Sequence, residues 1–342
     1  MSRRRSLTVA LAVPVALAAA ASLAACSGGG DSDRLTVYSG RTKNLVGPLL
    51  EQFSEETGIG IDVRYGDSAD LALLVDTEGD RSPADVFLSQ SPGATGYLDG
   101  EGRLLPLTDE VLDLVDPAFR AADGEWVGIS GRARTLVYNT EMVEEGELPD
   151  SVLDLVDPRY EGLVALAPTN GSFQDFVTGM RDVLGDDETL AWLEGMRDNG
   201  ARTYANNTAI VEAVGRGEVA MGLVNHYYNE RAKAEDPDVA SENHFFEGDD
   251  IGNLVLVTAV AVLDTADDRD AAERLVEFLL SEQAQEFFAG ETFEYPLAAG
   301  VEPAVDLPPL EQIGSPALDL SDLGGGLLRT KELIEQSGLE RA

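Results

Sequence analysis

Between positions 35 and 89 the hydrophobic pattern changes period four times, and this alternation constrains the fold more than any other stretch. Leu35 to Tyr38 (LTVY) reads as a short strand. Leu45, Val46, Leu49, Leu50 and Phe53 recur at helical spacing, and Gly58 closes that helix. Ile59 to Tyr65 alternates as a second strand, Ala69 to Glu78 is a second amphipathic helix, and Pro83 to Ser89 is a third strand. A βαβαβ order predicts an α/β fold with a mostly parallel sheet and helices packed on its faces. Such sheets bind ligands at the carboxyl ends of their strands. That expectation places Ser39 to Thr42 and Ser89 to Ser91 on a binding edge.

The middle of the chain repeats the alternation. Strands are expected at Thr135 to Asn139, at Gly162 to Ala167 and over the apolar run Val219 to Val224. Helices are expected from near Phe173, over Ala191 to Asn199, and from the cap Asn206-Asn207-Thr208 to Val214. Asn253 to Leu263 reads as a long strand leading back toward the first half. Asp270 to Phe288 reads as one amphipathic helix, opened by acids as the helix dipole prefers. A final helix is expected in the tail from Leu307 to Ala342.

Two features bear on compartment and partners. Arg3, Arg4 and Arg5 precede an apolar stretch from Leu7 to Ala21, and Leu23-Ala24-Ala25-Cys26 follows, as in a secretory leader spanning residues 1–25. The end of this leader resembles a lipoprotein lipobox, which implies lipidation at Cys26, the only cysteine. Residues 26–33 read as a flexible tether. Acids outnumber bases by 63 to 24, for a formal charge of -39. Loss of the leader removes three arginines and no acids, which moves the charge to -42. So acidic a chain is a poor partner for nucleic acid. The mature chain is expected to sit outside the cytoplasm, held to the membrane by its lipid, as a monomer.

The residues exclude several chemistries. There is no Walker loop, no GxSxG elbow and no CxxC, and His226 and His244 are not spaced for zinc. No nucleophile–base pair supports an enzyme. What remains is neutral donors at helix starts (Asn170, Gly171, Ser172, Asn207 and Asn225) and two consecutive phenols, Tyr227 and Tyr228. Each donor alone reads as a helix cap, and the tyrosine pair alone reads as one packed and one half-exposed residue. A regular strand would point two consecutive phenols to opposite faces, whereas an irregular strand-to-helix turn could aim both at one ligand. Together the set suits an oxyanion beside a hard cation. Ferric ion prefers oxygen ligands and drives phenols to phenolates.

Several stretches resemble the ferric-ion-binding proteins of bacterial ABC importers: LTVYSGR (35–41), SPADVFLSQ (82–90), GRARTLVYN (131–139), APTNGSFQDFV (167–177), YANNTAIVEAVGRGE (204–218), GLVNHYYNE (222–230) and FEYPL (293–297). The resemblance implies a two-lobe, type II periplasmic-binding-protein fold. Each lobe would be a mostly parallel sheet with helices on both faces, joined by crossing strands. The lobes would comprise residues 34–132 with 258–306, and 133–257 with 307–342. It further implies Tyr227, Tyr228 and Tyr138 as iron ligands. Asn170, Gly171, Ser172, Asn207, Asn225 and Arg41 would hold a synergistic phosphate or carbonate. Thr42 and Gln90 stand where other members carry a histidine and a glutamate ligand, so the first lobe contributes at most weak contacts there. An ABC permease would receive the iron. A ferric chelate, a phosphate-type anion or a small organic ligand such as a thiamine-like or polyamine molecule remains an alternative on the same scaffold.

Overall fold

The computed structural model describes residues 34–341, apart from positions 91, 299, 314, 315, 317, 319, 321 and 322. The leader, the tether, Cys26 and Ser91 lie outside the described residues. The first half follows the expected order: β1 (Arg34–Ser39), α1 (Lys43–Thr57), β2 (Gly60–Tyr65), α2 (Ser68–Glu78), β3 (Val86–Ser89) and α3 (Pro92–Gly100). Short β4 (Leu104–Leu105) and α4 (Asp109–Leu112) lead to the long β5 (Val127–Asn139). Next come β6 (Val164–Leu166), α5 (Gly171–Leu184), α6 (Asp186–Asp198), β7 (Arg202–Thr203), α7 (Asn207–Gly215), β8 (Met221–Asn225) and α8 (His226–Glu235). The chain closes with β9 (Ser241–His244), β10 (Val255–Leu263), α9 (Arg269–Leu279), α10 (Glu282–Gly290), β11 (Tyr295–Pro296) and α11 (Leu323–Ser337).

Local chemistry accounts for the boundaries. Gly58 ends α1 at φ 77°, a conformation that costs glycine little, and its N–H donates to Ser54 O at 3.0 Å. Asn170 opens α5 and Asn206 opens α7, each accepting a backbone N–H within its own helix.

The main strand order is β2-β1-β3-β10-β5-β8-β6-β7. The parallel ladders lie at the flanks, β1 with β2 and β3, and β6 with β7 and β8. The middle is antiparallel. β10 pairs with β3 on one side and β5 on the other, and β5 pairs with β8. This is the expected α/β class. β5 is the element that joins the flanks: Val127 to Ala133 face β10, whereas Arg134 to Tyr138 face β8.

Two expectations about elements are corrected. β5 begins at Val127 rather than near position 135, and all 13 of its residues are buried. Gly128, Ser130, Gly131 and Arg132 obscure it, because a strand covered on both faces need not alternate. The helix expected over Asp270 to Phe288 is two helices, separated at Leu280 and Ser281. Ser281 caps α10 by accepting from the Ala284 N–H, so a hydroxyl competes with continuation of α9.

Candidate functional site

β8 delivers the tyrosine pair. Asn225 ends the strand with extended backbone, and α8 starts at His226. Tyr227 and Tyr228 therefore lie in the first helical turn, not in an irregular turn before it. Consecutive helical residues diverge by about 100° around the axis, yet these two rings stack, with centroids 4.2 Å apart and planes 29° from parallel. Tyr227 is fully buried and Tyr228 is half-buried. Burial raises the Tyr227 phenol well above its ordinary range, the neighbouring Tyr228 adds to this, and Arg41 and Arg132 oppose it.

Arg41 is the cation closest to that phenol. It follows β1, is buried, and its Nη1 donates to Tyr227 Oη at 3.2 Å. Its Nη2 forms an ion pair with buried Glu294. Burial alone would lower the Arg41 pKa, but Glu294 and the two tyrosines more than compensate and raise it.

Three of the six expected anion-binding residues, Asn170, Ser172 and Asn225, share one hydrogen-bonded chain. Arg134 Nη1 donates to Asn225 Oδ1 at 3.3 Å, and Asn225 Nδ2 donates to Ser172 Oγ at 3.1 Å. Ser172 Oγ donates to Asn170 Oδ1 at 2.7 Å, which also accepts the Ser172 N–H at 3.2 Å. Gly171 and Ser172 form the buried first turn of α5; the N–H groups of Ser172, Phe173 and Gln174 all donate to Asn170, which leaves that of Gly171 at the end of the helix that favours an anion. Asn207 occupies the first turn of α7, beside the capping Asn206. It is fully buried, and neither Oδ1 nor Nδ2 has a protein partner. An amide buried without partners is costly unless a ligand satisfies it.

A cavity of about 620 Å³ lies in front of this set. Arg41, Thr42, Gln90, Asn170, Tyr228 and Arg231 are among its lining residues. Thr42 precedes α1, and its hydroxyl donates to Asn44 Oδ1. Gln90 is buried, with its Nε2 unpartnered.

Tyr138 is not brought to this group. It pairs with Met221 at the start of β8, whereas Arg134 pairs with Asn225 at the end that carries the tyrosines. Four residues of strand separate those ends by roughly 13 Å. Tyr138 packs in the hydrophobic core, and its phenol is raised by burial and then by Glu145 and Glu242. The expected third phenol ligand is therefore withdrawn.

Three further site residues have no role assigned from sequence: Arg132, Arg134 and Glu294. Both arginines are buried on β5, with Arg132 Nε and Nη2 and Arg134 Nη2 lacking partners. Desolvation lowers both; repulsion from Arg41 adds to it at Arg132, and repulsion from Arg132 adds to it at Arg134, which is taken down to about 9. The signal was available: arginines two apart in a strand share a face, and GRARTLVYN is otherwise mostly apolar. His226 does not enter the cavity. Its Nδ1 accepts from the Ala133 N–H at 3.2 Å, which leaves Nε2–H to donate to Phe293 O at 3.0 Å. Burial pushes this imidazole down to about 4.

Comparison with known proteins agrees with the α/β fold. Residues 81–319 match the family described as bacterial extracellular solute-binding protein. The chain is similar to an Fe(3+)-binding periplasmic protein of Serratia marcescens, 30% identical over 308 residues that cover 89% of this chain and 90% of the relative. Among solved structures it is similar to iron-bound HitA from Pseudomonas aeruginosa. That likeness has a TM-score of 0.85 at 34% identity, covering 89% of this chain and 99% of the other. It is also similar to Trichodesmium FutA in complex with iron and citrate ligands, with a TM-score of 0.71 at 26% identity, covering 90% and 99% of the two chains.

Proposed function

The chain belongs to the bacterial extracellular solute-binding proteins, and from that premise we propose that it captures ferric iron on Tyr227 and Tyr228, together with an anion. The observation that carries this reading is the stacked phenol pair, backed by buried guanidinium groups. Stacked rings would offer both phenol oxygens to one ion, and ferric ion is Lewis acidic enough to displace their protons. The residues present fit such a cargo in donor type: two phenol oxygens, with neutral amide and hydroxyl groups around them.

Charge supports the anion. Among the described residues, Arg41, Arg132 and Arg134 are buried with only Glu294 and Asp175 as buried acids close to them. This leaves one excess positive charge while the phenols are neutral. Two phenolates would reverse it, but a trivalent cation would then restore a surplus of two. An anion of charge about -2 cancels that surplus, and burying it uncancelled would be costly. The unpartnered nitrogens of Arg132, Arg134, Asn207 and Gln90 supply donors for such an anion, along with the first turn of α5 and Asn225. Phosphate and carbonate both fit this chemistry.

A second reading concerns the form of the cargo. The cavity of about 620 Å³ exceeds what one metal ion and a carbonate fill, and Thr42 and Gln90 offer no anionic ligand. A ferric chelate that brings its own carboxylate oxygens would use that space, and one structural neighbour holds iron with citrate. On either reading the two parts of the sheet joined by β5 would act as lobes that close on the cargo. The lipid on Cys26 would keep the protein at the membrane beside its permease.

Titration of the purified mature chain with ferric ion, with phosphate, carbonate or citrate present in turn, tests the reading. Phenolate-to-iron charge transfer should give visible colour at one iron per chain. A colourless chain that retains no iron under all three conditions sinks it. The anion that supports the tightest retention separates the free-ion and chelate readings.

A further inference from the structure

Glu294 is fully buried, outside the elements that carry the phenols. It accepts from Arg41 Nη2, from Ser130 Oγ at 3.1 Å and from Thr292 Oγ1 at 2.9 Å. The residue before it, Phe293, has φ 58°, the only non-glycine among the described residues with a positive φ. A side chain in that region is strained, because its Cβ crowds the following carbonyl oxygen. Two contacts hold the turn in place. Phe293 O accepts from His226 Nε2, next to Tyr227, and Tyr295 pairs with Gly131 of β5. The strained turn is thus anchored to the helix of the tyrosine pair and aims a carboxylate at Arg41.

Stability alone does not explain this arrangement. A buried ion pair is often no better for stability than apolar residues of the same volume. What the pair does achieve is orientation. With Nη2 held by Glu294, the fork of Arg41 points Nη1 at the Tyr227 oxygen. A lysine could not make both contacts, because it lacks the fork.

We infer that Glu294 is a positioning residue for the iron–phenolate bond: it fixes Arg41 so that its guanidinium stays hydrogen-bonded to the Tyr227 oxygen while that oxygen ligates the metal. This inference rests on the ferric reading above. A phenolate oxygen has more than one lone pair; the metal takes one and the Arg41 N–H takes another. A hydrogen bond from a cation lowers the energy of the oxygen's electrons. Moving one of them to the ferric ion then requires more energy, so the colour shifts toward shorter wavelength. The same contact restrains the Tyr227 ring, so the ligand is ordered before the metal arrives. Residues that orient metal ligands in this way typically matter by about 10–100-fold in metal affinity.

The test compares the full mature chain with Glu294→Gln and with the double variant Arg41→Met/Glu294→Leu, all loaded with ferric ion and the best supporting anion. The double variant removes both buried charges at once, so no orphaned guanidinium limits its folding; near-ultraviolet circular dichroism confirms each fold. Both variants should keep their colour, with the charge-transfer band moved to longer wavelength. Both should also yield iron to a competing chelator at about tenfold lower concentration. A packing role alone would leave the band in place. An unmoved band in both folded variants overturns the positioning role, whereas an uncoloured parent chain overturns the ferric reading instead.

Discussion

The floor and the rim of the cavity are built from opposite materials. The floor is buried and basic: Arg41 lines the cavity, and Arg132 and Arg134 are buried on β5, with Tyr227 and Asp175 close to both. The rim carries exposed Asp67, Glu212 and Glu235 and the uncharged Thr42 and Gln90. In a chain with 63 acids and 24 bases, a basic interior is the less expected half. The difference divides the work. Exposed acids act at a distance and weakly, because solvent and salt screen them. Buried cations act strongly on whatever shares their low-dielectric surroundings. On the proposed reading the rim would draw a cation in, and the floor would decide in what chemical form it stays, as a metal bound to phenolates and matched by an anion.

The floor is the place to break this comparison. Replacing both phenols, Tyr227→Phe/Tyr228→Phe, should abolish the charge-transfer colour. Ferric affinity should fall by more than about a thousandfold, or roughly 4 kcal/mol. Competition against a chelator of known strength measures it. The single variants should each lose less, with Tyr227→Phe the worse of the two, since its oxygen is the one already held by Arg41. If the double variant binds as tightly as the parent, the floor is not the metal site and the rim must be.

The next test upgrades the rim. Gln90→Glu places an anionic oxygen at a buried lining position that is neutral in the parent. If free ferric ion with a small anion is the cargo, the new ligand should tighten binding about tenfold, near 1.4 kcal/mol. If a chelate supplies those positions, the added charge faces carboxylates already bound, and affinity for the chelate should drop instead. Isothermal titration with ferric ion plus carbonate, and separately with ferric citrate, gives the two signs.

How much of this was legible beforehand depends on the kind of signal. The βαβαβ opening was readable because α1 and α2 each keep a solvent-facing side, so the helical period survives in the sequence and marks off the strands between them. β5 was half missed because it is covered on both faces, and burial on both faces erases alternation. The tyrosine pair was readable as a candidate, although its place in the first turn of α8 was not, since helix starts shift by a residue or two. Tyr138 was misplaced because nearness in a motif does not say which end of a strand a residue occupies; only the pairing of β5 with β8 does. Arg132, Arg134 and Glu294 carry the floor's electrostatics and had no assigned role. Charged residues are read as surface unless something indicates burial, and that indication came from long-range pairing between positions 41 and 294.

The smallest effect belongs to the rim acids. Glu212 pairs with Arg216, and its side chain is 59% exposed. Glu235 is also exposed, at the end of α8. Glu212→Gln/Glu235→Gln removes two negative charges from the mouth of the cavity and leaves both phenols and the buried guanidinium groups in place. Exposed charges of this kind are worth a fraction of 1 kcal/mol, so equilibrium retention of iron should change by no more than about twofold. The rate of capture should show the effect more clearly, since charges at an entrance act on encounter before they act on affinity. At low salt the double variant should load more slowly than the parent, and the gap should close above about 0.15 M salt, where the screening length is about 8 Å. Stopped-flow measurement of colour development across a salt series reads this directly. A cationic cargo predicts slower loading in the variant, whereas a negatively charged chelate predicts faster loading, because the same two acids would then have been repelling it.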